Sequence, residues 1–216
     1  MEDLRLNPLL YVITDRLDES LPQRVSAALK GGATALQLRC KGASAREVLA
    51  MGRSLGPLCK EAGVAFIVND RLDLALACGA DGVHLGPEDL PVDEARRLAP
   101  ASFIVGASAG TPAEAMKLEA LGASYLGVGA IFDARASKSD ASPPRGLEAL
   151  REVCASVRLP VVAIGGIGRQ SAPSCLRVGA AGVAVIREVF SPVSPAGIER
   201  AAAAMKACLM PFPERR

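Results

Sequence analysis

Two carboxylates, Asp70 and Asp89, follow the strand-like runs IVN and VHL, and Gln37, Arg39 and Lys41 alternate through QLRCK. Carboxylates brought together from two neighbouring strand ends share either a proton or a hard cation. With cations and a phosphate expected nearby, Mg²⁺ held by one or two carboxylates plus phosphate oxygens accounts for the set better than a shared proton. The competing reading of Asp70 is a helix cap, since it stands directly before RLDLALA. The period of two along a strand puts Gln37, Arg39 and Lys41 on one face. Two cations and an amide turned the same way call for an arriving anion, and a solvated strand end with salt bridges is the alternative. Asn69, Ser108 and the Ser137-Lys138 pair extend this polar group. A second group lies late in the chain, where AIGGI and GVAVIR carry Gly165, Gly166 and Arg187. Paired glycines let backbone N–H groups approach an anion, and a following helix N-terminus adds partial positive charge. A turn without ligand would use the same glycines. His84, the one histidine, is expected to be a packed or hydrogen-bonded structural residue, and Tyr11 and Phe132 are either ring partners for a flat substrate or core. No Ser–His or Cys–His pairing is suggested, so the chemistry is expected to proceed without a side-chain nucleophile.

These residues sit on a repeating frame. Strand-like runs occur at LLYVIT (9–14), TALQLR (34–39), AFIVND (65–70), DGVHLG (81–86), FIVGAS (103–108), SYLGVG (124–129), VVAIGG (161–166) and GVAVIR (182–187). Between them lie helical stretches such as Ser44–Ala62, Pro112–Leu121, Leu147–Val157 and Pro195–Cys208. Ser44 and Thr111 can cap helices, and Pro112 suits a first helical position. Gly31-Gly32, Gly63, Gly79, Gly122 and Gly179 stand before strands, where a helix stops in a left-handed residue. Continuous apolar strands imply burial on both faces and a parallel sheet. Eight β–α units in 216 residues then predict a (β/α)₈ TIM barrel, a single domain over residues 1–216. The open doubly wound sheet is the competitor, but ITDRLDES replaces the Gly-rich turn it would place after its first strand. In a barrel every polar group above lies at a strand's carboxyl end, where such folds build their sites. The long irregular segment 133–145 is expected to be functional.

Composition narrows the function. Half of the residues are hydrophobic but only 3% are aromatic and Trp is absent, so the core must be Ala, Val, Leu and Ile. A net charge of +2 without basic–aromatic runs speaks against a nucleic-acid partner. No apolar run has bilayer length, and MEDLRLNPLL lacks a signal-peptide core, so no membrane association and a cytoplasmic location are expected. Cys40, Cys59, Cys78, Cys154, Cys175 and Cys208 are scattered without a C-x-x-C pair and read as small buried hydrophobes, Cys40 excepted because of its neighbours. Nothing in the pattern specifies an oligomeric state.

The stretches LYVITD, QLRCK, IVND, DGVHLGPEDL, GAS, GAIF…SK, VVAIGGI and GVAVI together resemble the thiamine phosphate synthase family over nearly the whole length. The resemblance implies a barrel that joins hydroxymethylpyrimidine diphosphate to thiazole phosphate and releases diphosphate, with small phosphorylated molecules as its partners. Carried over by position, Gln37, Arg39, Lys41, Asn69, Ser108 and Lys138 would hold the pyrimidine diphosphate, with Arg39, Lys41, Ser108 and Lys138 acting in catalysis. Asp70 and Asp89 would bind Mg²⁺. Gly166, Ile186 and Arg187, with Arg135 and Ser137, would line the thiazole phosphate site. Four departures stand against the family pattern: Pro87 for Gln, Gly110 for His, Ala134-Arg135-Ala136-Ser137-Lys138 for P-T-x-T-K, and Arg187 for Ser. They leave the metal and diphosphate side intact and gather on the thiazole side. Two other readings accompany this one: a thiazole tautomerase on the same fold, and a non-catalytic phosphate-binding or regulatory barrel.

Overall fold

A computed structural model describes residues 6–133 and 144–210. The strands are β1 (Leu10–Ile13), β2 (Ala35–Leu38), β3 (Ala65–Asn69), β4 (Gly82–Leu85), β5 (Ile104–Ala109), β6 (Tyr125–Gly129), β7 (Val161–Ile164) and β8 (Gly182–Val185). All pairings are parallel and consecutive, and β8 pairs with β1, so the sheet closes into a barrel. That closure decides against the open doubly wound sheet. The helices are α1 (Leu21–Lys30), α2 (Ala45–Glu61), α3 (Leu72–Ala77), α4 (Val92–Leu98), α5 (Pro112–Ala120), α6 (Gly146–Ser156), α7 (Ala172–Arg177), α8 (Arg187–Phe190) and α9 (Pro195–Leu209). Each expected strand is present, shorter than the apolar run that announced it except β5, which keeps its length and shifts one residue toward the carboxyl end.

Alternation along each strand divides the apolar residues between two cores. Leu10, Val12, Leu36, Leu38, Phe66, Val68, Val105 and Leu126 turn outward into the layer beneath the helices. Tyr11, Ile13, Ala35, Ala65, Ile67, Ile104, Tyr125, Val162 and Ala184 turn inward and fill the barrel. Both faces are therefore dry, which is why the strands read as unbroken apolar runs. The interior takes two tyrosines because residues beside them are small. A Cβ on Gly106 would collide with the Tyr125 ring and lie 2.5 Å from its hydroxyl oxygen.

Helix starts and stops follow the local chemistry. Ser44 and Glu47 form a reciprocal capping box on α2 (2.8 and 3.3 Å), and the Thr111 hydroxyl accepts from Glu114 N at 3.2 Å on α5. Gly32, Gly63, Gly79, Gly122 and Gly179 all have positive φ, as a left-handed helix stop requires, whereas Gly31 has φ −70°. Gly31 serves packing instead: a Cβ there would lie 2.6 Å from Ala202 Cβ of α9. Six free thiols are present, Cys59 and Cys175 buried and the others half-buried. Burial pushes the Cys40 thiol up to about 11, opposed by the Arg39 charge, so it is not the reactive group of its motif. Among the described residues no helix is long and apolar enough to cross a membrane.

Candidate active site

Asp70 follows β3 directly, and its backbone N–H donates to His84 O of β4 at 2.8 Å. It is the only non-glycine residue among those described with positive φ, at 65°. A left-handed carboxylate held at a strand end is a strained placement that surrounding structure must enforce, and such placements gather at functional sites. Asp70 does not cap α3; the capping position is Arg71, which makes no side-chain cap bond. Asp89 stands in the turn after β4 rather than at the strand end itself, and its Oδ2 accepts from Gly86 N at 2.7 Å. That turn brings the Asp89 carboxylate within hydrogen-bonding reach of Asp70. Desolvation first, then the Asp89 hydrogen bond and charge, push the Asp70 carboxyl up to about 6, against the pull of Arg39 and Lys41. A carboxyl whose ionisation is resisted, a second carboxylate beside it and two cations nearby form a site for a small hard cation bridging to an anion. Among the described residues no group of three or more His, Cys, Asp or Glu could cage a metal. The pair thus suits a divalent ion that fills its remaining positions with water or phosphate oxygens, as Mg²⁺ does.

The cationic side comes from β2. Gln37 turns into the barrel and is buried, in register with Ile13 and Ile67. Arg39 continues that face past the strand end, its backbone clamped by Thr14, whose hydroxyl accepts from Arg39 N at 2.9 Å and donates to Arg39 O at 3.0 Å. Lys41 lies beyond β2 in an exposed turn, so strand alternation does not determine its direction, and there the expected single face ends. A cleft of about 380 Å³ runs beside it, lined by Asp15, Arg16, Arg39, Lys41 and Glu47 among others. Asn69 is the last residue of β3, on the inward face with Ala65 and Ile67.

The opposite side of the rim is built by the loops after β7 and β8. Gly165 and Gly166 have φ of 97° and 64°. Part of their reason is packing: a Cβ on Gly165 would lie 2.6 Å from Ala130 Cα, and one on Gly166 2.5 Å from Asp133 O. Their tight turn lets Phe132 N donate to Gly165 O at 3.0 Å, fastening the loop that follows β6. Arg187 opens the short helix α8, the element that often completes a barrel phosphate site. Ile186 packs against the barrel interior as its lid, while Gly166 is exposed. Arg135, Ser137 and Lys138 fall outside the described residues.

A polar line crosses the barrel below this rim. The Gln37 amide donates to Tyr11 OH at 3.1 Å, Tyr11 OH meets Tyr125 OH at 2.8 Å, Tyr125 OH meets His84 Nδ1 at 3.0 Å, and His84 Nε2 meets Ser108 Oγ at 3.0 Å. Desolvation drops His84 to about 4, against the Asp89 charge, so it is neutral at physiological pH. Burial raises both tyrosines above their ordinary range. His84 is hydrogen-bonded through both ring nitrogens, one of them to the rim residue Ser108. Tyr11 is sealed in the interior and Phe132 packs against the outer core, so Tyr11 is no ring partner for a substrate.

Sequence reading missed Arg145. Its guanidinium donates to Gly110 O at 2.8 Å and Gly129 O at 3.0 Å, tying the loops after β5 and β6. A Cβ on Gly110 would fall 2.5 Å from Arg145 Nη2, so the guanidinium occupies the space that the missing histidine side chain would need. The available signal was a lone cation directly before Gly146, where α6 begins.

Comparison with known proteins agrees with this architecture. Residues 10–189 match the profile of the thiamine monophosphate synthase family. Thiamine-phosphate synthase of Moorella thermoacetica is 50% identical over 194 residues, covering 89% of this chain and 92% of that protein. Its counterpart from Pyrococcus furiosus is 47% identical over 188 residues, covering 87% and 89%. The solved thiamine phosphate pyrophosphorylase from Pyrococcus furiosus superposes with a TM-score of 0.84 at 41% identity, covering 96% of this chain and 98% of that one. On these matches and its closed eight-stranded barrel, the chain belongs to the thiamine monophosphate synthase family.

Proposed function

We propose that the protein is a Mg²⁺-dependent thiamine-phosphate synthase, joining hydroxymethylpyrimidine diphosphate to thiazole phosphate and releasing diphosphate. One observation carries the chemistry: Asp70 and Asp89 within hydrogen-bonding reach, facing the charges of Arg39 and Lys41. The carboxylates would hold Mg²⁺, which when bound supplies charge neutralisation for the diphosphate. Arg39 and Lys41, with Lys138, bind the diphosphate oxygens and stabilise the charge that grows as the methylene C–O bond breaks. Gln37, Asn69 and Ser108 orient the pyrimidine, whose electron-rich ring stabilises the cation left behind. The thiazole nitrogen donates its lone pair to that carbon. Gly166, Ile186 and Arg187, with Arg135 and Ser137, hold the thiazole phosphate so that nitrogen and carbon face one another. Positioning replaces a nucleophile. The half-buried, neutral His84 has no acid–base part in this scheme.

The direct test is incubation of the protein with both substrates and Mg²⁺, followed by chromatography for thiamine phosphate. No product at high enzyme concentration overturns the proposal. The relatives named above are synthases, so the tautomerase and non-catalytic readings are not favoured.

Metal binding has a separate readout. With the Asp70 carboxyl raised to about 6 in the folded protein, its protonated form is favoured in the native state. Its contribution to stability is present below the ordinary carboxylate range and lost as pH rises through about 6. Mg²⁺ replaces the missing proton and binds only the native state. Millimolar Mg²⁺ is expected to raise Tm at a pH of about 8 and to have little effect near pH 5, where protons compete. An equal rise at both pH values contradicts the assignment of Asp70.

Arg187→Ala tests the other side. Losing a charge-assisted contact is expected to raise KM for thiazole phosphate by roughly 10- to 100-fold while KM for the pyrimidine substrate holds. Steady-state kinetics with each substrate varied in turn would measure it.

A further inference from the structure

The four hydrogen bonds inside the barrel have a direction. Each tyrosine hydroxyl has one proton to give. Gln37 Nε2 donates to Tyr11 OH. Tyr11 therefore spends its own proton on Tyr125 OH, the hydroxyl 2.8 Å away. Tyr125, having accepted, gives its proton to His84 Nδ1. A ring nitrogen that accepts leaves the imidazole proton on Nε2, which donates to Ser108 Oγ. With Gln37 Nε2 turned toward Tyr11, a proton on Nδ1 would make Tyr125 donate back to Tyr11 and leave the Tyr11 proton buried without an acceptor, a costly arrangement; the opposite direction requires the amide turned over, with its oxygen toward Tyr11. One end of the line, Ser108, is exposed on the rim, and the other, Gln37, is buried just beneath it. Ser108 Oγ, having accepted from His84, has its own proton free to donate outward, and its residue is exposed. Gln37, with its nitrogen engaged inside, has its carbonyl oxygen left as an acceptor.

We infer that Tyr11, Tyr125 and His84 are positioning residues, which fix an acceptor at Gln37 and a donor at Ser108 for the pyrimidine substrate. The inference rests on the proposed function for the identity of that substrate, and on the hydrogen bonds alone for its polarity. The pattern suits a ligand with an amine to donate to Gln37 and a lone pair or anionic oxygen to accept from Ser108. Reversing the line would reverse both ends, turning Gln37 into a donor and Ser108 into an acceptor. Three residues behind Gln37 and Ser108 would then set specificity, because proton direction passes along a hydrogen-bonded chain that contact alone does not determine.

The sequence holds one histidine, so ring-nitrogen NMR of the full chain with isotope-labelled histidine reads the tautomer without assignment. The expected result is a proton on Nε2 and none on Nδ1; a proton on Nδ1, or on both, overturns the inference. This measurement uses the ligand-free protein, so it stands whether or not synthesis is detected. Tyr125→Phe then removes one oxygen from the middle of the line. We expect the single tautomer to be lost and KM for the pyrimidine diphosphate to rise about tenfold, with KM for thiazole phosphate unchanged. Retention of the single tautomer, or equal rises in both KM values alongside a lower Tm, would reduce Tyr125 to a packing role and overturn it. If wild-type protein makes no thiamine phosphate, the proposed activity fails while the tautomer still decides the polarity.

Discussion

Asp70→Asn is expected to lower kcat/KM for thiamine phosphate synthesis by at least about a thousandfold, a loss of roughly 4 kcal/mol in transition-state stabilisation. The size follows from the site. Only two carboxylates meet here among the described residues, so removing one takes half of the protein's own charge from the proposed metal. Asn is the sharper replacement than Ala, because it tolerates the φ of 65° and keeps the side chain's shape. Stability should move the other way. Burial and the neighbouring Asp89 make ionised Asp70 costly in the metal-free fold, so the metal-free variant is expected to melt no lower than wild type at neutral pH. Activity and Tm measured on one preparation separate the two effects. Full activity in Asp70→Asn would remove the basis for a metal held by this pair.

Gly106→Ala is expected to overpack the barrel interior at the centre of its hydrogen-bonded line. Its Cβ would enter the space of the Tyr125 ring, which is fully buried among neighbours that cannot retreat. Overpacking of this kind costs about 3 kcal/mol, or roughly 6–12 °C in Tm for a chain of this length. The site suffers too, since a displaced Tyr125 leaves both Tyr11 and His84. KM for the pyrimidine substrate should rise with the fall in Tm. Gly63→Ala is the control, because that glycine has a φ of 66° but open space around it. Its cost is the left-handed backbone alone, about 1 kcal/mol. Equal melting temperatures for the two variants would mean that the barrel interior yields to the added methyl.

How far the site could be read from the chain differs residue by residue. Arg39, Asp70 and Asp89 stood out because charged groups at the ends of apolar strands are rare and expensive. The capping role considered for Asp70 failed for a reason no local pattern carries, a backbone turned to positive φ by its bond to His84 O. Lys41 was assigned a face by strand alternation, but the strand ends three residues earlier. Tyr11 looked equally fit for substrate or core, and Gly106 on a distant strand decided it by making room for the partner ring. Arg145 gave almost no signal, since its value comes from the carbonyls of Gly110, just after β5, and Gly129, at the end of β6.

The chain's own pattern settles the eight strands, their parallel order, the helix caps at Ser44 and Thr111 and the rim on which the polar groups gather. Those features depend on periodicity and on neighbours within a few residues. Barrel closure decides the rest: which carboxylates meet, which tyrosines are sealed, and that Gln37 and Ser108 lie at two ends of one hydrogen-bonded line. Such contacts join side chains separated by tens of residues, and no local preference can express them before the last strand pairs with the first.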